Sequence, residues 1–269
     1  MTTFGFIGAG NMASAIVKGA VATGANPSDF VVADAYQASA DALAEATGVT
    51  AVGSNDEVIA AADYVVLAVK PQVLPGVLEA AADAFAEHRP TVVSIAAGLT
   101  LARLGSLLPQ GTAVVRVMPN VNAMVGAAMS AVAGNERATS ADVDTVVGLM
   151  DSVGDAVVIP EKDFSAYTAL AGSSPSWVFT FIEALTKAGV KHGLTRPLAA
   201  RIAAQAVAGS AQLAIARAGE QSASDLSDMV CSPGGTTIAG LLAAEAAGFT
   251  PAIVAAVDAT VQRDRELGA

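Results

Sequence analysis

The chain opens on a short apolar run, Phe4-Gly5-Phe6-Ile7, followed by Gly8-Ala9-Gly10-Asn11-Met12-Ala13. In such a run Gly8 permits a tight turn, Gly10 lets backbone come close to a ligand, and Ala13 lets the next helix pack near the strand. The N–H groups and dipole of a helix starting there favour a pyrophosphate. A second apolar run, Phe30 to Ala33, ends at Asp34, 24 residues after Gly10. A carboxylate at that place accepts hydrogen bonds from an adenosine ribose and repels a 2′-phosphate. Asp34 fits equally well as the end of a strand or a cap on the next helix. The spacing as a whole predicts dinucleotide binding, and the absence of arginine from Ala35 to Ala46 leans toward NADH over NADPH.

Further polar groups stand where later elements end. Leu67-Ala68-Val69-Lys70-Pro71-Gln72 leaves a strand and turns at Pro71, which puts Lys70 at the carboxyl edge of a sheet, either near a cofactor or as a solvated loop cation. Ser94-Ile95-Ala96-Ala97-Gly98 and Arg116-Val117-Met118-Pro119-Asn120 end two more strands on the same edge. Gly172-Ser173-Ser174-Pro175-Ser176-Trp177 and Ser232-Pro233-Gly234-Gly235-Thr236-Thr237 open helices with hydroxyls and glycines. Such N-termini cradle carboxylates or serve as ordinary caps; two glycines followed by two threonines exceed what a cap needs.

These groups need a framework, and the apolar pattern supplies one. Runs rich in β-branched residues at Phe4–Ile7, Phe30–Ala33, Tyr64–Val69, Thr91–Ile95, Ala113–Val117, Ala128–Val132 and Ala156–Ile159 alternate with alanine-rich helical spacing. Residues 1–158 therefore read as an α/β domain, a doubly wound parallel sheet of the Rossmann kind. After Pro160 the pattern turns helical, with starts marked by Pro175, Pro197 and Pro251. Residues 159–269 read as an all-helical domain.

Composition excludes several classes. With 14 Lys+Arg against 25 Asp+Glu, a net charge of -11 and no basic cluster, nucleic acid and anionic membranes are poor partners. One cysteine, Cys231, and two histidines exclude a disulfide framework and a thiolate or histidine metal cage, so no metal is expected. The start has no basic segment before a long apolar stretch, which favours a cytoplasmic protein. There is no Gly-x-Ser-x-Gly elbow, Walker loop or His-Glu-x-x-His pair. Chemistry then falls to the cofactor and to hydroxyls.

Five motifs in this order, Phe-Ile-Gly-Ala-Gly-Asn-Met-Ala (6–13), Ala-Val-Lys-Pro-Gln (68–72), Arg-Val-Met-Pro-Asn (116–120), Gly-Ser-Ser-Pro (172–175) and Asp-Met-Val-Cys-Ser-Pro-Gly-Gly-Thr-Thr (228–237), resemble pyrroline-5-carboxylate reductase across nearly the whole chain. The last is the most specific. The resemblance implies hydride transfer from NADPH or NADH to the imine carbon of 1-pyrroline-5-carboxylate, giving L-proline. It implies a helical C-terminal domain interleaved in a homodimer, which some members build into a ring of dimers, and a site where one subunit's cofactor domain faces helices of the dimer.

Carried over by position, the resemblance gives Gly8, Gly10, Asn11 and Met12 to the pyrophosphate, with Ile7 and Ala9 counted among the cofactor-binding residues. Ala35 and Asn55 fall at the adenosine end, beside the Asp34 that the spacing already singles out, and Ala68, Val69, Lys70, Pro71, Ala96 and Ala97 at the nicotinamide side. Gly234, Gly235 and Thr236 would hold the substrate carboxylate, Glu220 would lie on the substrate side, and Thr237 would act at the ring nitrogen as the catalytic group. In this chain Ser174, Ser176 and Trp177 replace the Gly, Ala and Tyr often found at those places.

Two other readings use the same residues. A β-hydroxyacid dehydrogenase shares the two-part plan but needs a lysine in a Gly-x-x-x-Lys-x-x-x-Asn/Asp helix, a setting that Lys187 and Lys191 lack. A non-catalytic sensor that binds NAD(P)H would lose the hydroxyl loop, and Ser232–Thr237 is intact.

Overall fold

The computed structural model describes residues 2–268. Its N-terminal part runs β1 (Phe4–Ile7), α1 (Asn11–Ala22), β2 (Phe30–Ala33), α2 (Gln37–Thr47), β3 (Thr50–Ala51), α3 (Asn55–Ala61) and β4 (Tyr64–Leu67). There follow α4 (Leu74–Ala80), α5 (Ala82–His88), β5 (Thr91–Ser94), α6 (Leu101–Leu107), β6 (Val114–Met118), β7 (Ala128–Gly134), α7 (Ser140–Asp151) and β8 (Gly154–Val158). The eight strands form one sheet in the order β3-β2-β1-β4-β5-β6-β7-β8.

Strands β3 to β6 are mutually parallel, as the apolar runs predict, because crossover helices bury both faces. β7 turns back antiparallel to β6, and β8 follows β7 in parallel. That reversal is a refinement of the all-parallel expectation: β6 and β7 are joined by the short turn Val121–Val125, too short to hold a crossover helix. One core lies on each face. Phe6, Ile16, Val17 and Val66 belong to the first, and Ile59, Leu67, Leu78 and Phe85 to the second. The chain order reverses between β1 and β4, so a crevice opens at their carboxyl ends.

The later elements are helical: α8 (Phe164–Tyr167), a π-helical segment Thr168–Ser173, α9 (Ser174–Lys191), α10 (Arg196–Ala216), α11 (Ala223–Met229), α12 (Thr236–Ala246) and α13 (Phe249–Gly268). By packing, the chain forms two compact units, Met1–Ser173 with Thr260–Ala269, and Ser174–Ala259. The segment between β8 and Ser173 thus packs with the sheet. Four contacts hold it there. Arg116, only 5% exposed, donates from Nη1 to Glu161 Oε1 at 2.9 Å, and its guanidinium lies 4.5 Å over the Phe164 ring. The same Glu161 oxygen accepts the Leu101 N–H at 2.6 Å, at the start of α6. Burial raises the Tyr167 phenol above its ordinary value, so it stays protonated and donates to the Met129 carbonyl at 2.6 Å.

In the second unit α9 and α10 pack on each other, and Glu183 ties them through Arg196 at 2.9 Å. Much of its apolar surface faces outward: Phe179, Ile202, Ile215, Leu242 and Val254 are all at least half exposed. By length and composition α10 is long and apolar enough to cross a membrane, and α12 with α13 passes the same test as a pair bent by 50°.

Candidate active site

The turn after β1 is held from three sides. Gly8 N–H donates to the Ala33 carbonyl at 2.8 Å, continuing the β1–β2 ladder. Ala68 N–H donates to the Ile7 carbonyl at 2.9 Å, continuing β1–β4. Gly8 takes φ +107°, and a Cβ there would lie 2.8 Å from the Ala68 carbonyl oxygen. Only glycine lets the two strand ends close up in this way. At Gly10 a Cβ would meet nothing within 4 Å, so this backbone borders open space. Gly10 is the N-cap of α1 and no side chain caps it. The first N–H groups of α1 are therefore left for something outside the helix.

Asp34 performs two tasks at once. Its Oδ2 accepts the Ala9 N–H at 2.7 Å and its Oδ1 accepts the Tyr36 N–H at 2.8 Å. The carboxylate is locked between the phosphate-type turn and the start of α2, the structural role the sequence left open. Each oxygen keeps a second lone pair for a ribose hydroxyl. Beside it is a cavity of about 370 Å³ lined by Ile7, Gly8, Asp34, Ala35, Asn55 and Val69, among others. No Lys or Arg stands among its lining residues.

Ala68, Val69, Lys70 and Pro71 leave the carboxyl end of β4, and Ala96 and Ala97 leave that of β5. Ala96 is buried, while Lys70, Ala97, Gly10, Asn11 and Ala35 are exposed and Met12 is half-buried. The expected cofactor residues are thus gathered along one edge of the sheet. The residues expected on the substrate side form a second group in the helical unit. Gly235 is the N-cap of α12 with no side-chain cap, Gly234 has φ +70°, and the Gly235 N–H closes a turn on the Ser232 carbonyl at 3.0 Å. Thr236 and Thr237 follow, both exposed. Glu220 is also exposed and pairs with Arg217 at 3.1 Å. Among the described residues no cluster of His, Cys, Asp and Glu could hold a metal.

The reading from sequence gave no part to Arg116, Glu161 or Asn120 as individuals. Asn120, 6% exposed, donates from Nδ2 to the Ala171 carbonyl at 3.0 Å, and its Oδ1 accepts the Asn122 N–H at 3.2 Å. A usable signal was present in Pro175, whose missing N–H leaves one carbonyl in the preceding turn short of a donor.

With this geometry in hand, comparison with known proteins is decisive. Over 98% of its length the chain is 38% identical to the pyrroline-5-carboxylate reductase of Methanosarcina acetivorans, covering 97% of that protein. The chain belongs to the pyrroline-5-carboxylate reductase family. The Pisum sativum reductase is 39% identical over the same share of this chain and 96% of its own. Residues 161–267 match the family model described as pyrroline-5-carboxylate reductase dimerisation, and residues 3–98 that of NADP oxidoreductase, coenzyme F420-dependent. Among solved structures, the reductase of Coxiella burnetii superposes with a TM-score of 0.94 at 33% identity, covering 100% of this chain and 99% of that one. That of Plasmodium falciparum, solved with NADP bound, gives 0.87 at 29% identity, covering 100% and 98%.

Proposed function

We infer that the chain is an NAD(P)H-dependent oxidoreductase that reduces 1-pyrroline-5-carboxylate to L-proline, the last step of proline biosynthesis. The observation that carries this reading is full-length kinship with the reductases combined with the intact Gly234-Gly235-Thr236-Thr237 start of α12. A β-hydroxyacid dehydrogenase or a non-catalytic sensor would account for neither.

The residues present fit the cofactor. The close turn at Gly8, the open space at Gly10 and the uncapped start of α1 form a cradle that a side chain would fill. Ile7 to Met12 would hold the pyrophosphate, Asp34, Ala35 and Asn55 the adenosine end, and Ala68 to Pro71 with Ala96 and Ala97 the nicotinamide side. When bound, the nicotinamide supplies the hydride that the imine carbon receives. The chain's own groups prepare that carbon. Backbone N–H groups of Gly234 and Thr236 would hold the substrate carboxylate at the positive end of α12, with Gly235, whose own N–H closes the turn on Ser232, bringing the backbone close to it. Thr237 Oγ1 hydrogen-bonds the ring nitrogen and keeps its proton in place, since the imine takes hydride readily only as the iminium. Glu220 adds an acidic group on the substrate side.

We assign residues 1–158 to cofactor binding and 159–269 to dimerisation and substrate binding. The outward apolar side chains of α9, α10, α12 and α13 suit burial in a homodimer rather than a bilayer. The assignment extends to a cytoplasmic homodimeric enzyme with small-molecule substrates and no nucleic-acid partner.

The test is loss of reduced-nicotinamide absorbance with purified protein and pyrroline-5-carboxylate, run with NADH and NADPH. Oxidation dependent on the imine is expected; none with either cofactor, while both still bind, would reject the reductase. Thr237→Ala should lower kcat by about a hundredfold with cofactor binding retained. Unchanged turnover would remove Thr237 from the mechanism. The fixed Asp34 charge and the cation-free cavity also set an expectation for the reductant: NADH should bind about tenfold or more tightly than NADPH. Ala35→Arg should move that ratio toward NADPH by about tenfold, and a titration of reduced-nicotinamide fluorescence reads both.

A further inference from the structure

The π-helical segment Thr168–Ser173 ends where α9 begins, and the second residue of α9 is Pro175. In an α-helix the N–H of residue 175 would donate to the carbonyl four residues earlier, that of Ala171. Proline has no N–H, so this donor is missing. The Ala171 carbonyl instead accepts Nδ2 of Asn120, a residue 51 positions away in the chain. Asn120 directly follows Met118 and Pro119 at the carboxyl end of β6.

Asn120 is placed so that both its ends are used. Its Oδ1 takes the Asn122 N–H and so caps the turn Val121–Val125, which holds Val121, Met124 and Val125 outward. Its Nδ2 fixes the π segment at Ala171. The next residue, Gly172, sits against the same strand end, for a Cβ on it would lie 3.2 Å from Met118 Cε. One buried amide therefore sets the spacing between the turn after β6 and the Gly172-Ser173 backbone, both at the sheet edge that carries Ala96 and Ala97. π-Helical turns inside α-helices are often kept for such a purpose.

We propose that Asn120 is a positioning residue of the active site: it supplies the hydrogen bond that Pro175 cannot, and thereby holds Gly172 and Ser173 beside the end of β6, on the sheet edge that carries the nicotinamide-side residues Ala96 and Ala97. The proposal rests on the reductase reading for its kinetic readout and on nothing but the fold for its second readout.

The experiment is a double-mutant cycle of Asn120→Ala and Pro175→Ala, followed by steady-state kinetics with pyrroline-5-carboxylate and by thermal melting. Asn120→Ala should raise KM for the reduced nicotinamide by about tenfold, more than it changes KM for the imine. Asn120→Asp keeps the acceptor toward Asn122 but loses the donor, and it should behave like the alanine variant. Pro175→Ala in the Asn120→Ala background restores an N–H four residues after Ala171, so the double variant should return to within about threefold of wild-type KM and recover its melting temperature. Effects that add, rather than rescue, overturn the proposal, as does a change confined to the melting temperature with both KM values unaltered. Where Asn120→Ala does not accumulate as folded protein, recovery of a folded double variant supports the proposal and its continued absence overturns it. Lack of turnover in the wild-type chain would reject the reductase reading instead, and the melting data would still decide whether Asn120 and Pro175 are coupled.

Discussion

Alanine at position 8 should weaken NADH binding by at least about a hundredfold, roughly 2.7 kcal/mol at 1.4 kcal/mol per tenfold. Two terms act together. Gly8 has φ +107°, a conformation that costs a side-chain-bearing residue about 1–2 kcal/mol. The added methyl would also lie 2.8 Å from the Ala68 carbonyl oxygen and 2.9 Å from its carbon. Neither atom is free to retreat, because the Ala68 N–H is bonded to the Ile7 carbonyl and the β1–β4 ladder runs directly into this pair. The turn must therefore lift away from β4, and the Ala9 and Gly10 backbone moves with it, away from where a pyrophosphate would sit. Fluorescence titration checks the expectation, and binding within threefold of wild type would contradict it. A melt run alongside separates a displaced turn from a parted sheet, since only the second lowers the melting temperature by many degrees.

Gly154→Ala is expected to act on stability alone, with a loss of about 3 kcal/mol or more and a melting temperature lower by about 10 °C. Gly154 opens β8 directly opposite Ala128 of β7. A Cβ on it would run into the Ala128 backbone, its carbonyl carbon at 2.7 Å and its nitrogen and oxygen closer still. Ala128 is pinned in turn by donating its N–H to the Val153 carbonyl at 2.9 Å. The methyl can be housed only by opening the β7–β8 pair. Calorimetry should show the drop with and without NADH present, and a shift under about 2 °C would mean that the edge of the sheet yields more easily than this contact implies.

The two glycines differ in how readable they were. Gly8 belongs to a spacing whose physical requirement is local, so strand, turn and helix follow from ten consecutive residues. Gly154 is explained by a backbone 26 positions earlier, and nothing beside it in the chain announces that. The same holds elsewhere. β3 is two residues long and carries too little apolar pattern to notice. Ala128–Val132 is an apolar run in either direction, so its antiparallel pairing with β6 could not be told from a parallel one. The Arg116–Glu161 pair and the Asn120–Ala171 bond join residues 45 and 51 positions apart. The start of α12 was legible mainly because its motif resembles a family, since glycines and threonines at a helix start serve as ordinary caps as well. Asp34 was read as either a structural group or a ribose ligand, and its two backbone hydrogen bonds leave it free to be both.

The outward apolar side chains of Ser174–Ala259 bear on how this chain comes to be folded at all. Apolar area left in water contributes little to holding a lone protomer together, and a second copy covering it in a homodimer would supply the missing stabilisation. Docking of this helical unit is then a bimolecular event, governed by mass action, whereas closure of the sheet around Phe6 and Leu67 is unimolecular. A newly made chain can complete its sheet unaided, but its helices reach their final state only at the rate at which protomers meet.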